Sequence, residues 1–346
     1  MADSRFPLEP RVFPSSGWDS VDPSFAIEGA RYSTYNHRYQ VVGKLGYGSS
    51  STVWLCPAAT SITREMEIYN NSNSIKSGHA GQSCLRPLLE TFQTQSPDRQ
   101  SIHTCLVHPP LGISLHQLTR LLPDKVMTSC MARTTIRNIL AALDFLHAEA
   151  GVIHTERLYL SPFEEAEFEA PIPQKTPEDR TIYLSRPLPI SCGTPVLCDL
   201  GEARIGTDHQ QGDIMPDIYR APEVILDMSW DYKVGIWNIW DLFEHHNLFK
   251  ARNAEGTLDD GCHLAEMQGV LGGPPAEFLA RSERSKWRDA APIPASNLSA
   301  REERLQGDGK DDFLRFLRRM LCWIPEERAT AKELLFDPWL MQGLFK

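Results

Sequence analysis

Two short stretches of the chain carry residues suited to phosphate chemistry. The first, GYGSSSTV, runs from Gly46 to Val53 and has the form G-x-G-x-x-S-x-V. Glycines let backbone N–H groups approach phosphate oxygens that a Cβ would obstruct. The second, VLCDLGEAR, places Asp199 and Gly201 after an apolar strand, where the carboxylate is a candidate magnesium ligand. Either stretch alone is weak, because a plain hairpin turn explains the first about as well.

Further motifs accompany these two in a fixed order along the chain. They are REMEIYN with Glu65, VIHTE with Glu156, YRAPEVIL with Glu223 and PEERATAKELL with Arg328. Each tripeptide is common by chance, but the ordered set of G-x-G, helix glutamate, H-x-[DE], D-x-G, A-P-E and late arginine is the signature set of protein kinases. The order, more than any one motif, therefore indicates a phosphoryl-transfer fold.

The chain resembles eukaryotic protein kinases, and among them the SR-protein kinase family, particularly its fungal members. The stretches that carry the resemblance are RYQVVGKLGYGSSSTVWL, VIHT, RTIYLSRPLP with PVLCDLGEAR, IYRAPEVIL, IWDLFE and HLAEMQGVLG. The resemblance implies an α+β, two-lobed kinase fold with a small β-rich N-lobe, shortened here, and a larger helical C-lobe. The expected divisions are an N-terminal arm at 1–38, the N-lobe at 39–111 and the C-lobe at 112–341.

The resemblance also implies roles for single residues. Asp199 would hold the Mg²⁺ ion that bridges the ATP phosphates, and Glu65 falls where kinases have the glutamate of their first large helix. Glu156 occupies the place of the base aspartate that orients the substrate hydroxyl, and Thr155 stands where most kinases have arginine. The residues expected to cover the ATP phosphates are Gly46, Tyr47, Gly48, Ser49, Ser50, Ser51 and Val53.

These residues need particular elements to position them. The segments 38–45 and 51–55 predict a β-hairpin over the glycines, and 103–112 predicts a strand that leads into a hinge. Residues 129–151 place apolar side chains at spacings of three and four and end at Gly151, which predicts a long helix. Further helical patterns lie at 219–228, 234–249, 262–271, 311–322 and 330–341. Glu223 and Arg328 would form a buried, structural ion pair between the helical segments.

The kinase pattern fails at three places, and each touches the chemistry. Eleven residues separate Val53 from Glu65, and they contain no lysine; a strand of about 5–6 residues with its connections does not fit there. After Glu156 no asparagine follows within reach for a second metal ion, and glutamate is one methylene longer than the usual aspartate. Gly235 stands where the family has an aspartate that braces the catalytic loop from below.

Three interpretations of these departures stay open at the level of the sequence. The chain could be an active serine/threonine kinase for Arg/Ser-rich proteins whose sequence lacks internal segments. It could instead be a pseudokinase that keeps the fold as a binding scaffold. A third interpretation is a shortened N-lobe that leaves the chain marginally stable and without a function of its own.

Composition sets the remaining expectations. A net charge of −10 and a pI near 5.6 argue against direct nucleic-acid binding. They are compatible with the basic, Arg/Ser-rich protein partner that the resemblance implies, although an acidic surface that simply faces solvent explains them as well. No apolar run is long enough to span a bilayer, the N-terminus lacks the apolar core of a signal peptide, and the eight cysteines have no C-x-x-C spacing. We expect a monomer of the cytoplasm or nucleus that uses ATP and Mg²⁺.

Overall fold

The computed structural model places most residues after position 62 and short strands before it. The residues it describes are 34–35, 39–40, 43–47, 52–55, 63–95, 102–109, 115–122, 125–155, 174–175, 182–183, 193–206, 209–215, 217–239, 248–282 and 291–344. The chain divides into two compact units. The first consists of 1–63, 86–114 and 160–193, and the second of 64–85, 115–159 and 194–346. The division predicted at residue 111 stays a prediction.

The first unit is built from antiparallel two-stranded pairs. Its strands are β1 (Thr34–Tyr35), β2 (Tyr39–Gln40), β3 (Gly43–Tyr47), β4 (Thr52–Leu55), β5 (Glu90–Gln95), β6 (Ile102–Val107), β8 (Gln174–Lys175) and β9 (Ile182–Tyr183). They pair as β1–β2, β3–β4, β5–β6 and β8–β9. The predicted hairpin is confirmed, but its first strand lies later than expected. Gly46 and Tyr47 belong to β3, opposite Val53 and Thr52, with an irregular register after Lys44.

The second unit contains the helices and one further strand pair. Its helices are α1 (Thr63–Ser74), α2 (Leu115–Leu121), α3 (Ser129–Phe145), α4 (Pro222–Ile225), α5 (Lys233–Trp237), α6 (Asp260–Leu271), α7 (Ala276–Leu279), α8 (Leu298–Arg301), α9 (Asp308–Arg318), α10 (Ala331–Leu335) and α11 (Pro338–Met341). Strands β7 (Val152–Ile153) and β10 (Arg204–Ile205) pair antiparallel. None of the described helices is both long and apolar enough to cross a membrane.

Helix α3 is the centre of the second unit's core. The Thr128 hydroxyl caps its first turn by accepting a hydrogen bond from the Met131 amide, which satisfies one of the N–H groups left open at a helix start. The apolar positions at three- and four-residue spacing are buried, as the sequence predicts; they include Ile136, Ile139, Leu140, Leu143 and Leu146. The last turn, 146–150, widens to a π-helical turn and ends at Gly151, whose φ of 60° is left-handed.

A short 3₁₀ turn, Ala80–Cys84, packs directly on α3. A Cβ on Gly81 would lie 1.8 Å from the carbonyl oxygen of Ala141, so this turn and the helix backbone are in contact. The His79 Nδ1 atom accepts a hydrogen bond from the Gly81 amide at 3.0 Å, and Nε2 lies 3.2 Å from Asp144 Oδ2. The turn therefore fixes the chain that leaves α1 onto the core helix.

Two of the predicted helices are shorter than the patterns indicated. The 219–228 pattern yields only α4, because Pro222 begins it and Asp227 has a left-handed φ of 56°. The 330–341 pattern splits into α10 and α11, because Pro338 cannot continue the preceding helix. Of the 234–249 pattern, α5 is described as far as Trp237, and residues 240–247 lie outside the described residues.

Candidate functional site

The segment before Asp199 is hydrogen-bonded to the chain at the end of the 3₁₀ turn 80–84. The Leu197 amide donates to the Cys84 carbonyl at 2.7 Å, forming a parallel bridge with Leu85. Asp199 itself has a left-handed φ of 67° and an exposed side chain. Aspartate is one of the residues that tolerate this conformation, and a carboxylate turned to solvent by the backbone is free to meet a cation.

Two hydrogen bonds from the segment after β7 fix the backbone on either side of Asp199. The buried His154 imidazole lies with Nε2 3.2 Å from the Cys198 carbonyl oxygen. The buried Thr155 hydroxyl donates to the Glu202 carbonyl at 2.7 Å. Burial lowers the pKa of His154 below its ordinary value, while the Cys198 carbonyl and the Asp199 charge oppose that shift. His154 is therefore a neutral donor in the fold at neutral pH.

The structure places Glu65 in the first turn of α1, as the sequence predicts. The neighbouring Arg64 does not stand free for a phosphate group, since its Nη1 donates to Glu202 Oε2 at 2.8 Å. Seven residues along α1, the Asn71 amide donates to the Ala150 carbonyl at 2.6 Å. The helix that carries Glu65 is thus attached at both halves to the segments that surround Asp199.

The other predicted site residues divide between the first unit and the residues that are not described. Gly46, Tyr47 and Val53 lie in the β3–β4 hairpin of the first unit. Gly48, Ser49, Ser50 and Ser51 lie outside the described residues, as does the predicted base Glu156. Their assigned roles stay predictions.

Gly235 lies directly beneath the segment that holds Asp199. A Cβ at this position would be 3.5 Å from the His154 carbonyl oxygen and 3.7 Å from Nε2 of His147. His147 is half-buried and packs on the Tyr232 ring, with a centroid distance of 4.8 Å. Its two ring nitrogens are shielded from solvent and have no hydrogen-bond partner among the described residues. Burial of the ring, with the nearby His154 and Lys233, lowers its pKa to about 3.

The predicted ion pair between Glu223 and Arg328 is confirmed. Two guanidinium nitrogens of Arg328 each meet one carboxylate oxygen of Glu223 at 2.6 Å, and both side chains are buried. The Lys233 ammonium donates to the Arg328 carbonyl, and the Trp237 ring lies 5.0 Å from the guanidinium carbon. Because a buried charge without its partner is costly, this bidentate pair has a structural role in joining α4 to the C-terminal helices.

The donor set fits a magnesium ion held together with a nucleotide rather than a metal held by protein alone. Within the described residues, no cluster of three or more His, Cys, Asp or Glu side chains is placed to hold a metal ion. Mg²⁺ is commonly bound through one or two carboxylates together with substrate phosphates. The exposed carboxylate of Asp199 meets that requirement.

Comparison with known proteins gives the family. No protein-family model matches the chain. A serine/threonine protein kinase of Aspergillus fumigatus is 38% identical over 387 aligned positions, covering 98% of this chain and 98% of the relative. The chain belongs to the serine/threonine protein kinase family. The SRPK kinase of Physarum polycephalum is 25% identical, covering 88% of this chain and 86% of that kinase.

A solved kinase domain confirms the predicted fold class. It superimposes with a TM-score of 0.69 and 21% identity, covering 92% of this chain and 100% of the domain. The α+β kinase fold, inferred from the order of motifs, is therefore confirmed, as is the resemblance to SR-protein kinases.

The alignment with the Aspergillus kinase also bears on the missing segments. It runs over 387 positions, 41 more than the 346 residues of this chain. At least that many positions must therefore be gaps in this chain opposite residues of the relative. This chain therefore lacks residues that its relative has, and the expected shortage of a strand and of a catalytic-loop asparagine stays a prediction.

Two residues near the site escape sequence reasoning. Glu202 belongs to no recognised motif within the DLGEAR stretch, and its hydrogen bond with Arg64 of α1 is visible only in the folded chain. His147 reads as one polar residue at the end of an apolar helix.

Proposed function

We propose that the protein is a serine/threonine protein kinase that binds ATP with Mg²⁺ and transfers the γ-phosphoryl group to a protein hydroxyl. The observation that carries the proposal is the placement of Asp199. Its backbone is fixed by His154 on one side and Thr155 on the other, while its carboxylate stays exposed. A kinase needs this arrangement, since most of its catalysis is positioning and charge stabilisation.

Each residue has a defined task in this proposal. Asp199 holds the magnesium ion, which when bound neutralises charge on the phosphates. Gly46, Tyr47, Gly48, Ser49, Ser50, Ser51 and Val53 cover the phosphates through backbone N–H groups. Glu156 accepts the proton of the substrate hydroxyl as its oxygen attacks phosphorus and the bond to ADP breaks. Glu65, in the first turn of α1, takes the place of the helix glutamate of kinases.

The substrates we propose are Arg/Ser-rich proteins. The similarity to the SRPK kinase of Physarum polycephalum supports this class, and the net charge of −10 suits a basic partner. The transfer should be slow. Loss of one charge-stabilising donor costs about 10²–10³ in rate, so we expect a turnover number well below the roughly 1–100 s⁻¹ of ordinary kinases.

The proposal is tested by phosphate incorporation from labelled ATP into a synthetic Arg–Ser peptide. The variant Asp199→Ala removes the metal carboxylate and should abolish incorporation. Asp227→Ala is a matched control, because Asp227 is a second exposed aspartate with a left-handed φ, of 56°, outside the site. Incorporation by the wild type that does not exceed that of Asp199→Ala would contradict the transfer activity.

A second candidate is a non-catalytic nucleotide-binding scaffold, and Gly235 favours it. Glycine has no side chain to hold the neighbouring His154 carbonyl, which a Cβ at this position would approach to 3.5 Å, and Arg64 is engaged by Glu202. Thermal unfolding with and without Mg²⁺–ATP reports nucleotide binding, because a ligand that binds the folded state raises stability by mass action, and the transfer assay then separates the two candidates. Stabilisation that Asp199→Ala removes, without phosphate transfer, would support the scaffold. No stabilisation would contradict both.

A further inference from the structure

Glu202 joins the start of α1 to the β7–β10 strand pair through its carboxylate and its backbone carbonyl. Its Oε2 atom accepts from Arg64 Nη1 at 2.8 Å and from Arg204 Nη1 and Nη2 at 3.3 and 3.4 Å. Its backbone carbonyl accepts from the Thr155 hydroxyl at 2.7 Å and also from the Arg204 guanidinium. We call Arg64, Thr155, Glu202 and Arg204 the Glu202 clasp.

The backbone half of the clasp is rigid. Thr155 is 1% exposed and lies two residues after the end of β7, and Arg204 lies in β10, which pairs with β7. The backbone of Glu202, two residues before Arg204, is therefore fixed next to the β7–β10 strand pair. The side-chain half then extends from this fixed point to α1.

Glu202 contacts α1 at its N-terminal end, which is also the end that carries Glu65. Arg64 is the second residue of α1 and Glu65 is the third. The buried side chains of α1 that pack on the second unit, Ile68, Tyr69 and Ser72, lie further along the helix, as does Asn71. The contacts in the second half fix the helix axis, but the first turn of a helix frays easily because its N–H groups lack helical partners.

The charges favour this attachment. One carboxylate oxygen meets two guanidinium groups, which forms a small network rather than an isolated exposed pair. Because Arg64 and Glu202 are 48% and 57% exposed, solvent and salt weaken the attraction, so its effect should be modest and dependent on ionic strength.

We propose that Glu202 is a positioning residue that holds the first turn of α1, and with it Glu65, against the segment that carries Asp199. This proposal rests on the proposed function in one respect, because the role of Glu65 in the site is part of that function. The physical claim does not depend on activity, because the position of the first turn can be measured without nucleotide.

Hydrogen–deuterium exchange of α1 tests the clasp directly. Residue 67 is the first whose amide has a helical partner, so the peptide covering 63–74 reports fraying of the first turn. We expect the amides of residues 67–70 to exchange about two- to fivefold faster in Glu202→Gln and in Arg64→Gln, at low salt. The double variant should exchange no faster than either single variant, since both remove the same interaction. Arg64→Lys should restore most of the protection.

A matched control is available in the same unit. Arg281 contacts Glu326 at 2.8 and 2.9 Å across an equally exposed ion pair far from α1 in sequence, so Arg281→Gln should leave exchange of α1 unchanged. The difference between wild type and Glu202→Gln should also shrink in about 0.5 M salt, where the Debye length falls to a few ångströms. Unchanged exchange in both single variants, additive effects in the double variant, or an effect that salt does not reduce would overturn the proposal.

Nucleotide binding by the same variants keeps the two proposals distinguishable. If the wild type binds Mg²⁺–ATP, Glu202→Gln should weaken its affinity a few-fold, with Arg64→Lys near the wild type. An affinity equal to that of the wild type, with exchange of α1 increased, would overturn the functional part of the clasp. If the wild type does not bind Mg²⁺–ATP at all, the proposed function fails and exchange alone still decides whether the clasp holds α1.

Discussion

At the scale of single residues, the support of the Asp199 segment depends on the His147 imidazole and Gly235 beside it. His147 is half-buried, but both of its ring nitrogens are shielded from solvent and have no hydrogen-bond partner among the described residues; a shielded polar group without a partner costs about 1–3 kcal/mol. Gly235 also sits within α5, where glycine is about 1 kcal/mol less favourable than alanine. The chain therefore has two separate sources of instability at one position.

Replacing Gly235 separates these two contributions. Gly235→Ala should raise the free energy of unfolding by up to about 1 kcal/mol, since the nearest neighbour of the new Cβ is 3.5 Å away. Gly235→Asp should raise it by about 1–3 kcal/mol more, because the Cβ lies 3.7 Å from His147 Nε2 and the carboxylate can accept a hydrogen bond from it. Urea unfolding of the three proteins measures this. An aspartate variant less stable than the alanine variant would show that burying the carboxylate outweighs the new contact.

At the scale of elements, the 3₁₀ turn 80–84 fixes the C-terminal end of α1 to α3. The turn follows α1 in the chain and is bound to α3 through the backbone approach at Gly81 and through His79. The Gln82 side chain donates to the carbonyls of Ser72 and Ile75 at 3.4 and 3.2 Å, which joins the end of α1 to the same turn. A substitution in the turn should therefore disturb the packing of both α1 and α3.

Gly81→Ala is the sharpest test of this contact. The added Cβ would lie 1.8 Å from the Ala141 carbonyl oxygen, so the turn must move away from α3, at a cost we place at about 3 kcal/mol or more. Gly78→Ala is the matched control, because no atom lies within 4 Å of its Cβ and its φ is not left-handed; it should change stability by less than about 1 kcal/mol. Equal unfolding free energies for the two variants, measured in urea, would contradict the close approach.

The same elements show how far the sequence could predict the fold. The α3 helix and its Gly151 end follow from local periodicity and one left-handed glycine, and the β3–β4 hairpin follows from its glycines. The Glu223–Arg328 pair was inferred through the motif order. By contrast, the contacts of Glu202 with Arg64, of Gly81 with Ala141 and of His147 with Tyr232 join segments 60 or more residues apart, and no local spacing encodes such contacts. Pro338 was visible in the sequence but was outweighed by the apolar pattern on either side of it.

At the scale of the whole molecule, buried neutral imidazoles make stability depend on pH. Three histidines in the described part of the second unit have lowered pKa values. Burial, with nearby positive charge, lowers the pKa of His147 and of His263 to about 3, and burial lowers that of His154. His147 faces His154 and Lys233, whereas His263 faces Arg220, so each would meet positive charge if it were protonated.

The sign of the resulting pH dependence follows from proton binding. An unfolded imidazole has a pKa near 6.5, above the folded values, so the unfolded chain binds more protons between about pH 3 and 6.5. Stability is therefore full above about pH 6.5 and falls as the pH is lowered. Below about pH 6, His147 and His263 each contribute a slope of about 1.4 kcal/mol per pH unit.

We therefore expect the free energy of unfolding to fall by about 2.7 kcal/mol between pH 7.5 and 5.5 from His147 and His263 together. The lowered pKa of His154 acts in the same direction. The variant His263→Phe replaces an imidazole that packs 5.1 Å from the Phe249 ring and whose Nε2 has no hydrogen-bond partner in the described residues. It should reduce the fall by about 1.4 kcal/mol, because the contribution of His263 is removed. Urea unfolding at several pH values gives both slopes, and the slope, unlike the stability at one pH, is insensitive to any change in packing that phenylalanine causes. Equal slopes for the variant and the wild type would show that His263 is protonated in the folded protein.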